Sequence, residues 1–199
     1  MATDTWLGVA SGDDGYSSAW LADESIGEIN TNANGLYVGN VGSGLLNAFW
    51  TRYKILTTIP KSSTIVSVIE KLSGAGEAGT GLSKIYGHDA DNPSSPTSFA
   101  EYKAIPLTTA SVDFDALSSA GEHTTSNLAS IIQELVNDHE LTVDAYILLI
   151  HKDDGSASGV RQIWYSWDYN SQSDQPYLEL EWTLPVGGIV PQLIAMGLL

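Results

Sequence analysis

A single amphipathic helix set among β-strands constrains this chain more than any other feature. Residues 124–182 hold one stretch of helical period. Thr124-Thr125-Ser126 offers capping hydroxyls, and Leu128, Ile131, Ile132, Leu135 and Val136 then repeat at the spacing of one buried helical face. The spacing predicts a helix over residues 126–137, with a turn at Asn137-Asp138. Residues 145–150 follow, apolar on both faces as in a strand covered on both sides. Asp153-Asp154-Gly155 marks a turn, and two more strand-like runs cover residues 161–168 and 176–182. In the last run Leu178, Leu180 and Trp182 share one face, and Tyr177, Glu179 and Glu181 the other.

The first half carries no helical period. Strands are expected at residues 3–9, 36–38, 48–56, 64–72, 82–88 and 110–114, with residues 98–104 ambiguous and residues 1–33 otherwise polar and turn-rich. Short strands at this spacing indicate a sandwich or barrel. The expected fold is therefore all-β: a jelly-roll-like antiparallel β-sandwich with one crossover helix. It occupies residues 1–183, with residues 184–199 as an appendage.

Composition narrows the function. The 199 residues include only 8 Lys and Arg against 24 Asp and Glu, a net charge of −16. Phosphate-rich partners need a cationic surface, so neither nucleic acid nor an anionic membrane is an expected partner. Cysteine is absent, which removes disulfides, thiolate metal sites and a thiol nucleophile. Residues 1–6 lack the basic and apolar regions of an export signal, so synthesis and use without the secretory route is expected.

Chemical motifs are sparse. Gly74, Gly76 and Gly79 match G-x-G-x-x-G, but no helical period follows, and a hairpin is the simpler reading. None of the four histidines lies in an H-E-x-x-H motif, and no serine lies in a G-x-S-x-G elbow. His151 and Asp153 are close enough in sequence to pair as a structural contact. No enzymatic activity is expected, and no cofactor is required. Asp89, Asp91 and Asn92 place three side-chain oxygens within four residues, the best candidate for a Ca²⁺ site. Six Trp and nine Tyr raise the question of exposed rings that stack on sugars, for which Trp20 and Trp164 are the candidates.

Residues 184–199 carry no charge. Leu184, Val186, Ile189, Val190, Leu193, Ile194, Met196, Leu198 and Leu199 are nine large aliphatic side chains in sixteen residues, interrupted by prolines and glycines. The run is too short and broken for a membrane span. Burial is worth about 1.5–3 kcal/mol for each such side chain, so the run is expected to find cover, by docking on another subunit or by folding back on its own sheet. Docking is favoured for the run as a whole.

In order and spacing the segments resemble the β-sandwich modules of the DNRLRE-domain family, which is grouped with carbohydrate-binding modules. The resemblance is carried by Asp14-Gly15-Tyr16, by Asn34-Gly35-Leu36-Tyr37-Val38-Gly39 and by Ile59-Pro60-Lys61-Ser62-Ser63-Thr64-Ile65. The predicted helix, the strand at 146–150 and the close through Arg161, Ser166, Asp168, Pro176 and Leu178 complete it. It covers residues 14–182. Such modules serve as polysaccharide binders or as structural parts of tailed-phage virions. The resemblance, with the acidity and the apolar arm, implies a virion component made in the host cytoplasm: a capsid decoration or head-fibre protein. Its partners would be other virion subunits, with self-assembly into a homo-oligomer, and surface glycans are the alternative ligand.

Overall fold

Apolar side chains at every second position build most of this molecule. The computed structural model describes residues 1–20, 23–75, 80–117 and 119–185. Its first strands are β1 (Ala2–Leu7), β2 (Asp14–Trp20), β3 (Asp23–Asn30), β4 (Gly35–Gly42), β5 (Leu45–Lys54) and β6 (Thr64–Gly74). A short β7 (Thr80–Gly81) precedes β8 (Ser83–His88), helix α1 (Phe99–Lys103) and β9 (Leu107–Asp113). Then come β10 (Ala116–Leu117), β11 (Gly121–Thr124), helix α2 (Ala129–Asp138), β12 (Tyr146–Asp153), β13 (Val160–Tyr165) and β14 (Tyr177–Thr183).

The fold is an all-β, jelly-roll-like antiparallel sandwich. Hydrogen bonding runs continuously in the order β1-β14-β6-β13-β4-β5-β12-β8-β9, with β11 also on β6, and β2 bridging β5 to β3. The path bends into two layers at the β4–β5 hairpin, whose turn residues Ser43 and Gly44 both have positive φ (54° and 82°), the backbone of a tight two-residue turn. Strand β5 changes partner along its length. Asn47 and its neighbours pair with β4, while residues from Phe49 to Lys54 pair with β12.

Between the layers lies the main core. Trp6, Leu36, Val38, Val68, Leu72, Trp164, Leu178 and Leu180 meet Phe49, Tyr53, Ile85, Ile147 and Leu149. A smaller cluster of Ala48, Trp50, Tyr102, Leu148 and Ile150 sits on the outer face of the second layer, under α1. Strand β12 is thus covered on both faces, as its unbroken apolar run predicts.

Helix α2 crosses from β11 to β12 and buries Ile131, Ile132, Leu135 and Val136. It begins three residues later than the sequence pattern suggests, and it continues through Asp138. The Thr125 hydroxyl does not cap it. That oxygen accepts the Glu70 N–H of β6 at 3.0 Å, and Asn127 Oδ1 instead receives the Ala129 N–H at 2.9 Å. Nor is α2 the sole helix. The ambiguous stretch at 98–104 forms α1, capped by the Ser98 hydroxyl, which accepts the Glu101 N–H.

The region read as turns up to residue 33 contains β2 and β3. Strand β2 lies along β5 from Asp14↔Thr51 to Trp20↔Leu45. Its Asp-Gly-Tyr-Ser-Ser sequence lacks apolar alternation because its neighbours supply the covering side chains. The hairpin expected at Gly76 and Gly79 lies outside the described residues.

Candidate functional site

Residues singled out in the sequence scatter over the fold. Trp164 is 0% exposed, which corrects its expected place at the surface. Strand β13 turns it into the core, where it lies tilted beside Phe114 and edge-on to His123 and donates its Nε1–H to Gln162 Oε1 at 3.1 Å. A buried indole there finds both apolar cover and an acceptor. Trp20 is 47% exposed at the end of β2, in register with Leu45 and Asp23. Asp89 Oδ1 lies 2.9 Å from His139 Nε2, and Asn92 Oδ1 accepts the Tyr146 N–H at 3.0 Å. These contacts tie the 89–92 loop to the end of α2 and the start of β12. Among the described residues no group of three or more His, Asp or Glu forms a metal-holding cluster. Leu184 is 39% exposed. The other proposed docking residues, Val186, Ile189, Val190, Leu193, Ile194, Met196, Leu198 and Leu199, lie outside the described residues.

Because Trp164 faces inward, its neighbour Tyr165 faces outward. Its ring lies on that of Tyr169, with centroids 3.6 Å apart and planes 4° from parallel. Tyr165 lines a groove of about 340 Å³, together with Glu122, Gln172, Asp174 and Tyr177. Tyr177 donates to Glu122 Oε2 at 2.9 Å. Its partial burial and the adjacent carboxylate push the phenol up to about 12, so it stays a neutral donor. Gln172 on the groove wall and Asn170 before it hold positive φ angles of 71° and 45°, conformations that cost non-glycine residues about 1–3 kcal/mol. An aromatic platform beside amides, carboxylates and a fixed phenol can hold a hydroxylated ring ligand. Adjacent strand residues point to opposite faces, so Trp164 and Tyr165 divide between core and surface; the pairing of β13 with β4 and β6 tells which face is the core.

A second cluster joins the two layers. Glu70 of β6 and His151 of β12 are fully buried, with Glu70 Oε2 2.8 Å from His151 Nε2. Glu70 Oε1 accepts the Tyr53 hydroxyl at 2.6 Å and the Thr51 hydroxyl at 2.8 Å, both from β5. Phe49 stacks on the imidazole at 4.0 Å. Burial opposes charge on Glu70, but His151 and the three hydrogen bonds outweigh it and hold the carboxyl below the usual carboxylate range. The Tyr53 phenol is pushed far up by the same burial and by the Glu70 charge. His151 therefore pairs with Glu70 and not with Asp153, whose carboxylate caps its own turn through Gly155 and Ser156. The arrangement has the parts of an acid–base pair, but sealed between sheets it serves as a polar staple.

A third cluster closes one end of the sandwich. Asp13 accepts the Val9 and Ala10 N–H groups and pairs with Arg52 at 2.8 Å. Arg52 also donates to the Pro93 carbonyl and lies over the Tyr146 ring. Beside them Asp14 is buried. No protein-family model matches this chain, and no curated protein aligns with it at a significant level.

Proposed function

We propose that this protein is a non-enzymatic structural module of a phage virion, a capsid decoration or head-fibre protein that docks or self-assembles through the apolar run 184–199. One observation carries this reading. The core runs from Trp6 to Trp182, strand β14 has neighbours on both sides in β1 and β6, and Leu184, the first residue of the uncharged run, is exposed. Strand β14 is already flanked, so the edge left on this side is the outer edge of β1, which a second copy can fill as readily as a returning segment. The low content of Lys and Arg supports the same reading, since a net charge of −16 keeps crowded copies soluble. Removing residues 185–199 and measuring mass by light scattering tests it. The full chain is expected to be an oligomer and the shortened chain a monomer. A monomeric full chain, or an unchanged oligomer after removal, refutes it.

A second reading, glycan binding, is favoured by the Tyr165–Tyr169 platform beside Glu122 and Asp174. Retention on an immobilised polysaccharide panel, weakened about tenfold or more by Tyr165→Ala, is the expected result. Equal behaviour of the two proteins removes this reading.

A further inference from the structure

Residues 166–176 form a loop seated across one end of the sandwich, and two aspartate side chains hold it. The Trp167 N–H donates to Asp14 Oδ2 at 2.7 Å, and the Ser11 hydroxyl donates to Asp168 Oδ2 at 2.9 Å. The Ser166 hydroxyl completes the seat on the Ala33 carbonyl. Asp14 lies at the bottom of a narrow cleft walled by Gly8, Thr51, Tyr53, Trp167, Gln175 and Pro176.

Each element around Asp14 presents a charged or titratable group. The turn before β2 presents Asp13, the loop presents Asp168, and β5 presents Arg52 and Tyr53. Glu70 of β6 lies beyond them, joined through Thr51 and Tyr53. Two of the nearest groups therefore share the sign of ionised Asp14. The nearby cation is engaged elsewhere, on Asp13, the Pro93 carbonyl and the Tyr146 ring. On the cleft wall, Gln175 Oε1 is a buried acceptor with no donor among the described residues. A carboxyl with acidic neighbours and a vacant acceptor close by is placed to keep its proton.

We propose that Asp14 is a proton-held latch: its protonated carboxyl keeps loop 166–176 seated, and loss of that proton lets the loop lift and hydrate the carboxylate. Burial, followed by repulsion from Asp168 and Asp13, raises Asp14 to about 7 against the Trp167 hydrogen bond, which lowers it. A group whose closed-state pKa is raised contributes to closure while protonated, and that contribution is lost as pH rises toward about 7. The loop carries Gln172, Asp174 and Gln175, which line the tyrosine groove. It also carries the positive-φ residues Asn170 and Gln172, whose strain is relieved on opening. The latch would therefore set the shape of the groove near neutral pH.

Hydrogen exchange of peptides spanning residues 166–176, corrected for intrinsic rates, tests this at about pH 6 and about pH 8. Opening is expected to be about tenfold more frequent at the higher pH in the full chain, and equal at both in Asp14→Asn. Equal protection in the unaltered chain, or a pH response that survives in Asp14→Asn, overturns the latch. Should that variant fail to fold, carboxyl resonances of the unaltered chain decide. Asp14 is expected to titrate near neutrality together with the Trp167 amide, and a midpoint below about 5 overturns the proposal.

Discussion

Glu70 shows how one side chain can join two sheets. Its carboxylate takes hydrogen bonds from Thr51, Tyr53 and His151, all from the opposite layer. Glu70→Ala would strand three buried polar groups at once. It is expected to cost about 3–5 kcal/mol, read from urea unfolding at neutral pH. The lowered Glu70 carboxyl adds stability above the pKa of an unfolded glutamate, and that stability is lost as pH falls through the still lower folded value. Asp14 acts in the opposite sense. Its carboxyl is raised from 3.8 to about 7, so ionisation opposes folding and the penalty grows from about pH 4 to about pH 7. Asp14→Asn keeps an acceptor for Trp167 and removes the charge. It is expected to stabilise the protein by up to about 4 kcal/mol at pH 8 and by less than about 1 kcal/mol near pH 4, measured by denaturant unfolding at each pH.

Among the elements, α2 depends on a glycine beneath it. A Cβ built on Gly87 of β8 would lie 2.9 Å from Ile131 Cγ2 and 3.3 Å from Leu135 Cδ1. Gly87→Ala must therefore lift the helix or displace both side chains. A loss of about 1–3 kcal/mol is expected in thermal or denaturant unfolding, with the β-sheet circular dichroism retained. Strong periodicity is what made elements legible in advance. Helix α2 and strands β12 and β14 carry their apolar stripes openly, and so did the all-β class. Strand β2 was hidden because Asp14, Ser17 and Ser18 interrupt any stripe; its strand character comes from β5 alongside. The candidate site was half-legible. Alternation separated Trp164 from Tyr165, but which of them meets water depends on the layer that β13 faces, a tertiary fact. The roles of Glu70 and Asp14 were not legible, since their partners lie far along the chain. His151, for example, is 81 residues from Glu70.

For the molecule as a whole, the core built by the described residues ends before the apolar run begins. The described core spans Trp6 to Trp182, so a chain ending at Leu184 is expected to unfold cooperatively as a monomer. Calorimetry in dilute buffer checks this, and a molten, uncooperative trace would show that residues 185–199 belong to the core. Net charge acts on the same scale. With −16 spread over 199 residues, self-repulsion weakens the compact state, and added sodium chloride is expected to raise Tm by a few degrees through screening. The pairing of β1 with β14, from Ala2↔Trp182 to Leu7↔Tyr177, has a consequence in time. On the ribosome β1 emerges long before β14, its one sheet neighbour among the described residues, is made, and β6 likewise waits for β14. Contacts of such separation form slowly. The nascent chain must therefore shelter two unfilled strand flanks until β14 is translated, an interval in which exposed strand edges favour aggregation.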